Sequence, residues 1–439
     1  MKRSMRTALF IWITLIFVLT ACQSSTSDYD PAADKASSQE LKKIQTEDQG
    51  QTITLNHTAT SDTKQGSPVE KGYKIQTRLT DFQLLSANAG LAWGVTRNEL
   101  RIYVTQDNGG TWDNVSPAQT VIFSEPPTYG KDIFFLNQNN GWVVRNASGV
   151  GETLILHTTD GGQNWNFATL DDEVNVLGIY FMDSKMGWAL ASSDTANTTE
   201  DQQEKVLYIT KDGGNTWEKV MQNTGIYEAK GLATATQAIP KFGKLVGMSF
   251  RDRDHGFVTL EQQGKPHLYM TSDSGKTWKS GPDFEKNTNM PNCHALTTGK
   301  PQFFGDSKTA GWMNIGCVTG NQTSYNGYFT NDAGKTWNFA PFALKAQTGV
   351  NQSMGPTFLN NKIGWSVVDG VVYRTINQGK TWTALPTNNT LQKTLSNYPE
   401  LAKLQFFSKD VGWLLVAKNE ERRSLLMQTT DGGKTWHVL

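Results

Sequence analysis

Seven side chains of one chemical type recur along the chain: Asp107, Asp160, Asp212, Asp273, Asp332, Asn377 and Asp431. Each sits in one short phrase, of which Thr105-Gln106-Asp107-Asn108-Gly109-Gly110-Thr111-Trp112 is the first copy. Two chemistries are open to such a carboxylate: holding a cation, or locking a turn. A calcium loop draws on several carboxylates, and each phrase offers one. A turn asks only for an acceptor that can reach backbone N–H groups a few residues on, and for a Gly that tolerates positive φ. The phrase therefore predicts a hairpin corner locked by its Asp. The closing Trp of each copy (Trp112, Trp165, Trp217, Trp278, Trp337, Trp382 and Trp436) then pins the strand pair to a core. Two copies depart from the pattern: Asn164 stands in place of Thr, and Asn377 in place of Asp.

Cysteine is the other chemistry-bearing type, at positions 22, 293 and 317. Lys2, Arg3 and Arg6 precede an apolar run from Ala8 to Leu19. This is the pattern of a secretory signal peptide, and the run is shorter than the roughly 20 residues a spanning helix needs. Its end, Leu19-Thr20-Ala21-Cys22, resembles the lipobox of bacterial lipoproteins. The resemblance implies acylation of the Cys22 thiol, cleavage before it and anchoring at the extracytoplasmic face of the cell membrane. Residues 1–21 are thus read as the signal, and 22–70 as an acylated Cys and disordered tether rich in Ser, Thr, Gln, Asp and Lys. The short stretch Thr52-Ile53-Thr54-Leu55 is compatible with a strand. Outside the cytoplasm a bond between Cys293 and Cys317 is permitted, and antiparallel pairing in the fifth repeat brings the two together. His294 beside Cys293 reads as an ordinary loop residue; no metal or cofactor signature is present.

The elements that position the seven corners follow from a second phrase. Gly-Trp occurs at Trp142, Trp188, Trp312, Trp365 and Trp413, with Phe257 in the fourth repeat and Trp93 read as the equivalent in the first. Phe135, Phe181, Phe250, Phe358 and Phe406 lie seven residues before the aromatic. Strand A ends at the Phe, strand B begins at Gly-Trp, strand C runs into the corner and strand D leaves it. Four strands in each of seven repeats predict an all-β fold, a seven-bladed β-propeller of four-stranded antiparallel blades over residues 71–439. All Trp but Trp12 fall into the two phrases. A–B turns and corners keep nearly constant length, whereas D–A segments (118–130, 221–243, 281–299, 386–402) and the B–C loop 192–205 vary. Those two loop classes share one face of a propeller, so that face is expected to bind. Residues 391–404 have helical spacing and are expected to cap it.

The repeats with their Gly-Trp strands resemble the photosystem II stability and assembly factor family over about residues 80–439. That resemblance implies a seven-bladed propeller; a fold does not carry its function with it. The corners also resemble the Asp-box (BNR) repeats of sialidases, sortilin-type receptors and xyloglucan-cleaving glycosidases, where they are structural. The Arg-Ile-Pro motif of sialidases is absent. Beyond residue 21 there are 38 basic and 41 acidic residues, which gives no basic surplus for nucleic acid. The expected function is a lipid-anchored scaffold for a protein or glycan partner, without catalytic residues. The alternative is a glycoside hydrolase, which would need two carboxylates across a scissile bond.

Overall fold

In the computed structural model the described residues are 50–56, 73–96, 99–117, 123, 126–147, 152–170, 174–193, 204–223, 237–284, 293–349 and 354–439. They form seven antiparallel blades, spanning 81–114, 133–169, 175–222, 244–280, 295–341, 357–384 and 400–438. Blade 3 shows the plan: strands Asn175–Phe181, Gly187–Ser192, Lys205–Thr210 and Glu218–Gln222, each hydrogen-bonded to the next. Strands B and C are buried on both faces, so they read as near-continuous apolar runs such as Trp188-Ala189-Leu190-Ala191. The A strands of neighbouring blades contact one another and surround the axis. Blade 5 departs from the plan: its strand A is split into Ala295–Thr298 and Gln302–Phe304, both paired with Ala310–Thr319.

Aromatic side chains join successive blades. The strand B indole of one blade stacks on the strand A Phe of the next: Trp142 on Phe181 at 3.5 Å, Trp188 on Phe250 at 3.7 Å, Trp365 on Phe406 at 3.8 Å. That Phe meets the corner Trp of its own blade edge-on, as in Phe181–Trp217 and Phe406–Trp436. The same Phe also explains the Gly of Gly-Trp. A Cβ on Gly187 would lie 2.4 Å from the Phe181 ring, and one on Gly141 2.3 Å from Phe135. Offset stacks and edge contacts of this kind contribute about 0.5–1.5 kcal/mol each beyond area burial.

The first repeat obeys a different assignment from the one its Trp suggests. Gly90 pairs with Leu84 and Thr105, as Gly141 pairs with Phe135 and Thr158. Leu91 therefore takes the Gly-Trp position, and Trp93 sits two residues further on, donating its Nε1 to Pro127 O at 2.9 Å. In blade 4 Phe257 does replace the indole, and a small apolar cavity of about 160 Å³ lies beside it, lined by Phe257, Met270 and Gly334 among others.

Ring closure uses no exchanged strand; each described blade is one contiguous stretch. Thr52–Leu55 is a strand, paired with Tyr73–Gln76. Its alternation puts Ile53 and Leu55 into a core cluster with Trp112, Trp413 and Leu426. Buried Gln51 accepts from Leu426 N at 2.7 Å, donates its backbone N–H to Ser424 O, and donates its side chain to Leu439 O. Residues 50–56 therefore belong to the propeller, which begins before the boundary at 71 that composition suggested. The helix over 391–404 is also corrected. Helix α1 is Asn389–Asn397, capped by Asn388, whose side chain accepts from Leu391 N. Pro399 follows, and Leu401 and Leu404 belong to strand A of blade 7, Glu400–Phe406.

Candidate functional site

The seven corners are built alike. In the first, Thr111 N donates to Asp107 Oδ1 and Thr111 Oγ1 to Asp107 Oδ2, both at 2.8 Å. Thr105 Oγ1 donates to Asp107 Oδ1 and accepts from Gly109 N at 2.9 Å. Both departures keep this geometry by chemistry. Asn164 Nδ2 supplies the donor that a Thr hydroxyl gives elsewhere, reaching Asp160 Oδ2 at 2.7 Å. Asn377 accepts from Thr381 N through Oδ1 and reverses the second bond, its Nδ2 donating to Thr381 Oγ1 at 2.8 Å. Hydrogen bonds from the Thr336 side chain and backbone hold the Asp332 carboxyl down to about 2. Burial opposes the same shift at Asp107, Asp212, Asp273 and Asp431, and hydrogen bonds outweigh it. At Asp160 the bonds from Asn164 lower it. Both oxygens of each box carboxylate thus accept hydrogen bonds from within their own turn.

Each corner is also tied to the A–B turn of its own blade. The residue before the box Gly is left-handed like the Gly itself, as at Asn108 (φ 57°) and Gly109 (φ 95°). Its N–H reaches a turn carbonyl: Asn108 to Asn88 O, Gly213 to Lys185 O, Gly432 to Asp410 O. The turn is locked in its own right, since Asp183 Oδ1 accepts from Lys185 N and Met186 N, and Asn137, Asp252, Asn360 and Ser408 act likewise. This Asx or Ser four residues before the Gly of Gly-Trp is a sequence signal that the two phrases alone do not expose. The coupling explains why both loop classes on this face keep their length.

On the opposite face the connections are free to differ. B–C links range from two-residue turns at Gln263-Gly264 and Asp369-Gly370 to the segment 193–204. Here α1 leans its Leu391, Thr394, Leu395 and Tyr398 onto blades 6 and 7, with Arg423 over the Tyr398 ring at 5.7 Å. A cleft of about 420 Å³ opens between α1 and the Asp369-Gly370 turn, lined by Gln347, Thr348, Asp369, Gln392, Ser396 and Leu395. A second cleft, about 310 Å³, lies between blades 7 and 1, where Arg78 Nη2 donates to Asn419 Oδ1 at 3.0 Å.

Comparison with known proteins gives the following. A family model described as sortilin, neurotensin receptor 3 (Sortilin-Vps10) matches residues 100–241. Vacuolar protein sorting/targeting protein 10 of Paracoccidioides brasiliensis is 26% identical over 133 residues, covering 28% of this chain and 8% of that protein. The matched part is thus a small fraction of those relatives' length. Among solved structures, YCF48 bound to D1 peptide is 17% identical with a TM-score of 0.46, covering 88% of this chain and 97% of its own. YCF48 from Cyanidioschyzon merolae is 17% identical with a TM-score of 0.45, covering 81% and 97%. A GH74 xyloglucanase from Xanthomonas campestris is 13% identical with a TM-score of 0.46, covering 82% and 54%.

Cys293 and Cys317 are joined by a disulfide across the pair Ala295–Thr298 and Ala310–Thr319, with Cα atoms 5.2 Å apart. His294 backs onto the loop, accepting from Gly320 N. Among the described residues no group of three His, Cys, Asp or Glu is placed to hold a metal, and no helix is long and apolar enough to cross a membrane. The signal segment, Cys22 and residues 23–49 and 57–70 of the tether lie outside the described residues, as do most of 118–125, 194–203, 224–236 and 285–292.

One cluster was not visible in the sequence. On the axis, Lys403 of blade 7 pairs with Asp81 of blade 1 at 3.0 Å and donates to Phe82 O at 2.6 Å. Its ammonium also faces the rings of Phe82, Trp93 and Tyr129. Lys300, in the break of blade 5's strand A, reaches to 5.9 Å above the Tyr180 ring of blade 3. Burial first, and then the charge of Lys403, push its ammonium down to about 8.

Proposed function

We propose that this protein is a lipid-anchored scaffold on the extracytoplasmic side of a cell membrane, docking a protein or glycan partner on the D–A and B–C loop face. One observation carries the reading. The box face is hydrogen-bonded corner to turn and cannot vary without breaking those bonds, whereas the other face carries the length variation and α1. A rigid scaffold with variable loops at one end is the usual arrangement for recognition. Acylation of Cys22 would keep the propeller tethered to the membrane.

The test is retention. The tethered chain is used to capture partners from envelope extracts, beside a variant with 386–399 replaced by a short turn. A partner lost with the shortened D–A segment and kept with a box-face variant such as K335E supports the reading. Turnover of a β-glucan or sialoside by the full chain, abolished by one carboxylate substitution, would replace it with the glycosidase reading.

A further inference from the structure

The axial lysines lie outside the loops of the proposed partner face. Three observations set them apart from ordinary surface cations. The first is convergence. Blade 5 contributes Lys300; blades 2 and 4 contribute Gly130 and Gly247; blade 3 contributes Tyr180; blades 7 and 1 contribute Lys403 and Asp81. The second is space. A Cβ on Gly247 would lie 3.0 Å from the Lys300 stem, and one on Gly130 3.2 Å from its Nζ. The two glycines leave the room through which the side chain crosses toward blade 3. Gly130 has φ +81°, so an L side chain there would be strained as well.

The third is charge. Lys403 is neutralised by Asp81. Among the described residues no carboxylate lies within 4 Å of Lys300 Nζ, and the Tyr180 ring face is the contact its ammonium makes. The Tyr180 hydroxyl is turned away, donating to Phe250 O at 2.7 Å. Lys403 is the charge that acts on the amine, Asp81 and Tyr129 face Lys403, and Tyr180 faces Lys300; together these groups carry one uncompensated positive charge at neutral pH. An ammonium with three unspent donors in partly dehydrated surroundings binds an oxyanion more strongly than one in open water.

We propose that Lys300, backed by the Lys403–Asp81 pair, forms an oxyanion site on the propeller axis that takes a carboxylate. One uncompensated charge matches the single charge of a carboxylate better than a phosphate dianion, which would bring a second negative charge toward Asp81.

The experiment is competitive amine acylation of the full chain at pH 8, read lysine by lysine by peptide mass spectrometry, in sodium acetate, sodium phosphate or sodium chloride at matched ionic strength. Acetate is expected to slow acylation of Lys300 several-fold relative to chloride, with exposed lysines such as Lys335 unchanged. D81N is expected to deepen that protection, because Lys403 then adds its charge to the site. Equal labelling of Lys300 in acetate and chloride would overturn the proposal, as would protection indifferent to D81N. Protection by phosphate and not by acetate would overturn the choice of carboxylate. The wild-type comparison needs no variant to fold, so loss of structure in D81N leaves the proposal open to refutation.

Discussion

The indole Nε1 of Trp413 donates to Oδ1 of Asn108 at 3.0 Å, joining residues 305 apart in sequence. Elsewhere the same indole reaches the box of the next blade: Trp142 to Gly213 O, Trp188 to Ser274 O, Trp365 to Gly432 O. The bond from Trp413 is the copy that spans the seam between blade 7 and blade 1. The seam is reinforced by Gln51, by Gln405 Oε1 accepting from Leu84 N, and by Gln428 donating to Asn108 O.

Gln51 is the first residue to test there. Q51A leaves the Leu426 N–H without its acceptor in a buried place, which costs about 1–3 kcal/mol. Urea unfolding of Q51A should show that loss, and deletion of 1–56 should lose more than deletion of 1–48. Equal stability of the two truncations would contradict a structural role for Thr52–Leu55.

Blade 4 offers the opposite experiment. Phe257 gives no N–H to the box of blade 5, and an apolar cavity of about 160 Å³ adjoins it. F257W restores the donor and fills space, and should raise stability by about 1 kcal/mol, read as a higher Tm. A lower Tm would mean that Phe303, 5.1 Å away between ring centroids, leaves no room for the larger ring.

These two cases show what the sequence makes legible. The corners are local: Asp107 and Thr111 are four residues apart, so their chemistry is written in the phrase itself. The Gly-Trp phrase is half local, because its Gly answers to a Phe of the same blade but its Trp answers to the next. Trp93 misleads because register in blade 1 is set by Gly90 pairing, and a Trp two residues late keeps the same side of the strand. Gln51, Lys300 and Lys403 carry no local signal, since their partners are supplied by other blades once the ring closes.

The box carboxylates predict an acid limit. Asp332 titrates near 2 when folded and near 3.8 when unfolded. A depressed carboxylate contributes stability that is full above the unfolded value and is lost as pH falls through the folded one. The box contribution should therefore decline between about pH 4 and pH 2, as followed by thermal melts. D332A should cost about 1 kcal/mol at pH 7, and D332N less, because Asn377 shows that an amide fits. At pH 2 the gap between wild type and D332N should close; a gap of constant size would refute the assignment.

The disulfide closes a loop of 24 residues' separation, for which chain entropy gives about 3 kcal/mol. Reductant should lower the Tm of the wild type and leave a C293S/C317S variant unmoved. A wild type indifferent to reductant would show the bond to be absent or without weight.

Lys300 should make the protein less stable at neutral pH than it need be. Its amine titrates near 8 folded and near 10.5 unfolded. Below pH 8 both states hold the proton and the folded state bears the whole cost; between the two values the unfolded chain binds more protons, so stability rises with pH. K300M should therefore gain on the order of 1–3 kcal/mol at pH 7, and the gain should shrink as pH rises from about 8 and vanish above about 10.5. A gain independent of pH would trace to packing instead.

The central claim is that the locked box face is scaffold and the opposite face is where the partner sits. Photo-crosslinking amino acids placed singly at Gln392 on α1 and at Lys335 beside a box, both exposed, test it in the tethered chain within its own envelope. Adducts from position 392 and none from 335 are the predicted result. Adducts from 335 alone would place the partner on the wrong side of the propeller and contradict the account.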